Sequence, residues 1–271
     1  MTNNKKIFIV DGDTGHILKD FDANTHSIRS NKQQKAFKDR TNGRNSEFTF
    51  TDMEAIQTLI AELEAKDCGY LLFLQCFINY DGMLINRNHE KTPMTRDDIQ
   101  ETLELGRKTF MPFFKRMIEL DVIQEKGAHY YVNQKYHFRG TTDNQKVIRS
   151  FTARVRTLYT KKNAKDLGFV YKLLPYVHYE TNTICHNPFE KDVKQINYMS
   201  QLEIAELTKE DESTIWRKMN RLVLGGEYLF AEIKVGKEKF YKINPFVFYR
   251  KNGKPDATLN EIFLIKNSKK R

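Results

Sequence analysis

Two stretches of this chain, 99 residues apart, are versions of one another: residues 67–81 read DCGYLLFLQCFINYD and residues 166–180 read DLGFVYKLLPYVHYE. Asp67 aligns with Asp166, Gly69 with Gly168, Tyr70 with Phe169 and Tyr80 with Tyr179. A repeat of this length is a strong constraint, because both copies have to build the same supersecondary unit. After a short polar excursion each copy reaches a capping-box pattern, Thr95 to Asp98 and Ser200 to Glu203, in which a hydroxyl and a carboxylate satisfy the free N–H groups that open a helix. Both copies also close alike, YYVNQKYHFR over 130–139 and YKINPFVFYR over 241–250, which aligns Asn133 with Asn244 and Arg139 with Arg250. The offset grows from 99 through 105 to 111, so the insertions fall in loops, where extra length costs little.

Inside each copy the pattern predicts helix, helix, short turn, helix and hairpin. In the first, an apolar helix over about 67–79 precedes TRDDIQETLEL, Gly106 breaks the chain, and Phe113, Phe114, Met117 and Leu120 then keep helical spacing. A strand pair follows, with Lys126-Gly127 at its turn. In the second, SQLEIAEL leads through TKED to STIWRKMNRL and the hairpin LFAEIKV-GK-EKFYKIN. A helix-turn-helix followed by a two-stranded flap is the winged-helix arrangement: its second helix fits a B-DNA major groove and its wing reaches phosphates or the minor groove. Over residues 67–140 and 166–253 the chain resembles the winged-helix DNA-binding domains of regulators and replication proteins of Gram-positive bacteria, their phages and plasmids. That resemblance implies double-stranded DNA as partner. Initiators in that group carry two such domains in one chain, which makes an origin-binding initiator the alternative to a transcriptional regulator.

The expected fold is therefore α+β, mainly helical, with two tandem winged-helix domains. Residues 1–50 form an N-terminal hairpin and basic loop, 51–140 the first winged helix, 141–165 a basic linker helix, 166–253 the second winged helix and 254–271 a basic tail. IFIV-DGDTG-HILKDF reads as a β-hairpin, and Thr51 to Glu54 cap a helix with the apolar stripe Met53, Ile56, Leu59, Ile60 and Leu63. That stripe packs on the first winged helix or supplies a homodimer surface. Within 141–165, Val147, Ile148, Phe151, Val155, Leu158 and Tyr159 mark one face of the expected linker helix.

Charge points to the same partner. The net formal charge is +10, and it is concentrated: residues 29–44 carry +5, 141–165 carry +6 and 250–271 carry +5, leaving the rest at −6. Basic connectors around near-neutral bodies suit a polyanion. Candidate DNA contacts in the first copy are Arg107, Lys108, Thr109, Lys115 and Arg116, with Lys126 on the wing. Placing Thr109 as the N-cap brings Pro112 among the first helical residues, whose N–H groups have no partner. The linker adds Arg149, Arg154, Arg156, Lys161 and Lys162, and the second copy adds Ser213, Trp216, Arg217, Asn220 and Lys237. Glu210, Asp211 and Glu212 crowd the start of that helix, which suits its dipole but repels a DNA backbone. A protein-binding role for the second copy is the alternative.

Catalysis has little support. Asp11-Gly12-Asp13 after IFIV looks like the first motif of haloacid-dehalogenase phosphatases, but Thr14 stands one place early and a hairpin strand follows where that fold needs a helix. Residues 13–15 spell DTG, as in aspartic proteases, without a second copy. No GxxxxGK[ST] loop occurs, and Cys185-His186 with His178 lack the spaced pairs of a zinc site. No cofactor, metal or catalytic residue is expected. Cys68, Cys76 and Cys185 read as reduced thiols of a cytoplasmic protein. The start, MTNNKKIFIV, does not read as a secretory signal, and no apolar run approaches the roughly 20 residues of a membrane span.

Overall fold

The computed structural model describes residues 6–22, 47–87, 90–236, 238–253, 255 and 257–268. The chain divides into two units, residues 1–45 and 46–271. In the first, β1 (Lys6–Val10) and β2 (Ile17–Asp22) form the expected antiparallel hairpin. Its turn is held by Asp11, whose Oδ1 accepts hydrogen bonds from the N–H groups of Asp13 and Thr14 at 2.9 Å each. The basic stretch 29–44 lies outside the described residues.

The second unit mixes helices and small antiparallel sheets. Its first repeat runs β3 (Phe48–Asp52), α1 (Ala55–Glu62), α2 (Ala65–Leu74), a 3₁₀ turn (Gln75–Phe77), α3 (Arg96–Thr102), α4 (Arg107–Glu119), β4 (Ile123–Lys126), β5 (His129–Val132) and β6 (His137–Phe138). The second runs β7 (Val147–Phe151), α5 (Thr152–Leu158), α6 (Ala164–Leu173), a 3₁₀ turn (Leu174–Tyr176), α7 (Gln201–Thr208) and α8 (Glu212–Arg221). It continues through β8 (Val223–Leu224), β9 (Glu227–Tyr228), β10 (Phe230–Val235), β11 (Glu238–Ile243) and β12 (Phe248–Tyr249), and α9 (Ala257–Ser268) follows.

The repeat thus begins earlier than its most legible segment. Residues 141–165 are not a linker helix: Val147–Phe151 is a strand, and only Thr152–Leu158 is an α-helix. The reason is burial. All five β7 residues are buried, Arg149 and Ser150 included, and a short run buried on both faces carries no polar-apolar alternation that separates strand from helix. Thr51 likewise belongs to β3, and the turn into α1 is held by Asp52, whose Oδ1 accepts from the N–H groups of Glu54 (3.1 Å) and Ala55 (2.9 Å).

β3 and β7 pair antiparallel at the centre of a sheet ordered β12-β7-β3-β6. Phe50 pairs with Arg149, its own counterpart at the offset of 99, and the outer strands β6 and β12 are counterparts at 111. A local dyad therefore relates the repeats at this sheet. The same dyad holds at α2 and α6, which cross at the aligned glycines. A Cβ on Gly69 would lie 1.9 Å from the Ala164 carbonyl oxygen, and one on Gly168 would lie 1.5 Å from that of Ala65. Only glycine at both positions lets these helices approach so closely.

One apolar core runs through both repeats and includes Ile99, Phe110 and Met117 from the first and Phe169, Ile204, Ile215 and Met219 from the second. The Met53, Ile56, Leu59, Ile60 and Leu63 stripe is buried in it, so that stripe serves packing within the chain. A satellite cluster of Phe151, Ala231, Tyr249, Leu259 and Phe263 holds α9.

Candidate nucleic-acid interface

Both capping boxes form. Thr95 Oγ1 accepts from the Asp98 N–H at 3.2 Å while Asp98 Oδ2 accepts from the Thr95 N–H at 2.8 Å; Ser200 and Glu203 repeat this at 3.3 and 2.7 Å. α3 and α7 thereby start at fixed points, and each is followed by a tight turn into α4 or α8.

α4 begins at Arg107 with Gly106 as its N-cap, not at Thr109. Pro112 therefore lies inside the helix, where it removes the bond that residue 112 would donate to the Lys108 carbonyl. Lys108 and Pro112 are exposed, so water can take that carbonyl. Arg107, Met111 and Lys115 share an exposed stripe at i, i+4 and i+8, and Lys108 stands beside it. Thr109 is half-buried, and Lys115 lies 3.6 Å from Glu119. Arg116 instead turns inward to Asp67 at 3.1 Å, which makes it an anchor of α4. The hairpin turn falls at Gly127-Ala128, one residue later than expected, with Lys126 exposed at the end of β4 and its ammonium 5.0 Å from the Tyr131 ring.

α8 presents a second stripe, Ser213, Arg217 and Arg221, with Trp216 beside it 43% exposed and Arg221 stacked over the indole at 4.8 Å. Asn220 donates to the Trp216 carbonyl at 3.0 Å. The acidic trio at the start of this helix is largely occupied. Glu210 pairs with the buried Lys218 at 2.7 Å. Asp211 is the N-cap: hydrogen bonds from the Ser213 hydroxyl (2.6 Å) and the Thr214 N–H (2.8 Å) hold its carboxyl well below the usual range. Glu212 is exposed and accepts only a long hydrogen bond from the Gln201 amide, at 3.5 Å. Lys218 also reaches Asp166 at 3.4 Å and lies 4.5 Å from the Phe169 ring, so Asp67 and Asp166, aligned in the sequence, each hold a cation, from α4 and α8 respectively. On the β10–β11 hairpin Lys234 and Lys239 are exposed; Lys237 lies outside the described residues.

The linker candidates separate. Lys161 and Lys162 are exposed. Arg154 is bound to Glu227 at 2.7 Å and ties α5 to β9. Arg149 is 2% exposed, donates to the carbonyls of Tyr249 and Gly253, and lies between the rings of Phe48, Phe151 and Tyr249. Burial lowers its pKa to about 10. It cannot touch DNA from there: it sits on the inter-repeat dyad, within the sheet. Arg156 is half-buried beside Cys76 and Glu47. The exposed apolar Met111 and Leu202 were not singled out in the sequence, although Met111 lies one turn from Arg107 and from Lys115 on the same stripe. Among the described residues no group of His, Cys, Asp and Glu is arranged to hold a metal, and no helix is long and apolar enough to cross a membrane. No protein-family model, curated protein or solved structure matches this chain.

Proposed function

We propose that this chain is a double-stranded DNA-binding protein made of two tandem winged-helix domains, with α4 and α8 as reading helices and the β4–β5 and β10–β11 hairpins as wings. The observation that carries this reading is that the helix-turn-helix and hairpin occur twice, and each time the helix following the turn keeps a polar and basic stripe in solvent. Arg107, Lys108, Lys115, Lys126, Lys161 and Lys162 supply phosphate contacts, and Ser213, Trp216, Arg217, Asn220 and Arg221 face the bases. Of the acidic trio, Glu210 is neutralised by the buried Lys218, which reduces the repulsion a DNA backbone would meet at α8 to that of Asp211 and Glu212.

The internal dyad favours a monomer that covers two half-sites, because one chain then places two reading helices where a repressor dimer uses two copies. We place it as a regulator of a phage or plasmid, with a replication initiator that binds origin repeats as the second reading; the doubled domain in one chain favours the latter. Selection of duplexes from a random pool, followed by anisotropy titration, tests the reading. The expected result is one enriched motif with two unlike half-sites bound by a single chain; sequence-independent binding, or none, overturns it.

A further inference from the structure

The aligned arginines Arg139 and Arg250 have different surroundings. In the second repeat the two terminal nitrogens of Arg250 are taken by three backbone carbonyls, of Val177 (3.0 Å), Pro188 (2.6 Å) and Gln145 (2.7 Å). Pro188 belongs to the connection from Ile184 to Ser200, which is five residues longer than its counterpart from Leu84 to Thr95. The first repeat lacks that insertion. Arg139 there donates to one carbonyl, of Cys76 at 3.3 Å, and lies 4.0 Å from Glu47.

Beside Arg139 is an open cleft of about 280 Å³, lined by Glu47, Cys76, Tyr80, Asn86, Arg87 and Lys91 among others. Its charges do not balance. Arg87 reaches Glu47 at 2.9 Å, while Arg156 of α5, packed on the 3₁₀ turn that carries Cys76, makes no side-chain hydrogen bond or ion pair among the described residues, and its buried Nη1 has no partner among them. Lys91 is exposed and has no partner among the described residues. Glu47 is thus the one carboxylate among the residues lining the cleft, against Arg87, Arg139 and Lys91, and Arg156 also acts on it from behind. The crowding acts on both signs. Burial, then the neighbouring Arg87, lowers the pKa of Arg156, and Arg87, Arg139 and Arg156 together outweigh burial to lower that of Glu47.

We infer that the cleft ringed by Arg87, Lys91 and Arg139, with Arg156 behind it, binds the phosphate group of a small phosphorylated ligand. A phosphate carries the charge this cluster lacks and accepts the paired N–H bonds that guanidinium groups donate, and the volume lies near the lower end of small-ligand sites, about 300–1,000 Å³. The site involves neither reading helix and stands independently of the DNA-binding reading.

The test uses the full chain and inorganic phosphate, with ionic strength held constant by potassium chloride, read by thermal unfolding and by calorimetric titration. Wild type is expected to show a saturable rise in unfolding midpoint. Arg87→Ala and Lys91→Ala, both at exposed or half-exposed side chains, should raise the half-saturating concentration at least tenfold, and Arg217→Ala on α8 should leave it unchanged. Ribose 5-phosphate should compete with phosphate, and ribose should not. No saturable response, or an equal response in the Arg87 and Lys91 variants, overturns the inference. Loss of duplex affinity in those variants without any response to free phosphate overturns it too and assigns the cleft to the DNA backbone.

Discussion

His137 is the residue on which the seam between the repeats turns polar. It is fully buried on β6, with Nδ1 3.1 Å from the Thr51 hydroxyl and Nε2 2.8 Å from the hydroxyl of Tyr171 in the other repeat. Burial pushes its pKa down to about 3. An unfolded histidine takes up a proton below about pH 6.5, so the unfolded state binds more protons than the native one between there and pH 3. Stability should fall as pH drops through that window, by about 1.4 kcal/mol per pH unit. His178 adds to this in the same direction: burial lowers its pKa, and Nδ1 accepts from the Glu180 N–H while Nε2 donates to the Glu190 carbonyl. Urea unfolding of wild type and His137→Phe between pH 7 and 4.5 checks this. The variant takes the residue found at the aligned position, Phe248, and should start lower but slope less. Lys218 gives a second prediction at this scale. Removing it strands Glu210 in the interior, so Lys218→Ala should cost about 3 kcal/mol, whereas Lys115→Ala, at the surface, should cost under about 0.5 kcal/mol; denaturant midpoints compare the two.

Among the elements, the α2–α6 crossing is the most exacting. A single methyl at Gly69 meets backbone rather than a movable side chain, so Gly69→Ala should destabilise by roughly 3 kcal/mol, a fall in Tm of roughly 6–12 °C for a unit of this size. Gly106→Ala, whose Cβ would meet nothing within 4 Å, is the control. Much at this scale was legible. The capping boxes, the helix-turn-helix pairs and the hairpins follow from local patterns that tertiary contacts did not override, and the aligned glycines were visible as a pair. β3 and β7 were not: β3 alternates Phe and Thr over only five residues, β7 does not alternate at all, and the pairing that makes both of them strands is remote in sequence. Of the candidate surface residues, those on the outward stripes of α4 and α8 remained in solvent, while Arg116, Arg149 and Arg156 turned inward. A count of basic residues along the chain holds nothing to separate these groups; what separates them is the position of Asp67, of three aromatic rings and of Glu47.

At the level of the molecule, the central sheet takes two strands from each repeat and the main core takes side chains from both. The second unit should therefore unfold in one calorimetric transition, and residues 47–140 expressed alone should lack dispersed amide resonances until residues 141–271 are added; a folded isolated repeat would contradict this. If DNA is the partner, log affinity should fall linearly with log salt, with a slope of about −0.9 per phosphate neutralised. Replacing Arg107 and Lys108 together by Glu should then weaken all duplexes alike, whereas Arg217→Ala should relax base preference.

Joining the two copies in one polypeptide has a consequence for how they can change. In an assembly of identical subunits every substitution appears twice, so no feature can be altered on one side alone. Here each half mutates by itself around a fixed seam. That freedom let one arginine give its terminal nitrogens to three backbone carbonyls, one of them in an inserted loop, while its twin keeps a single carbonyl, and one aspartate come to hold an arginine while the other holds a lysine.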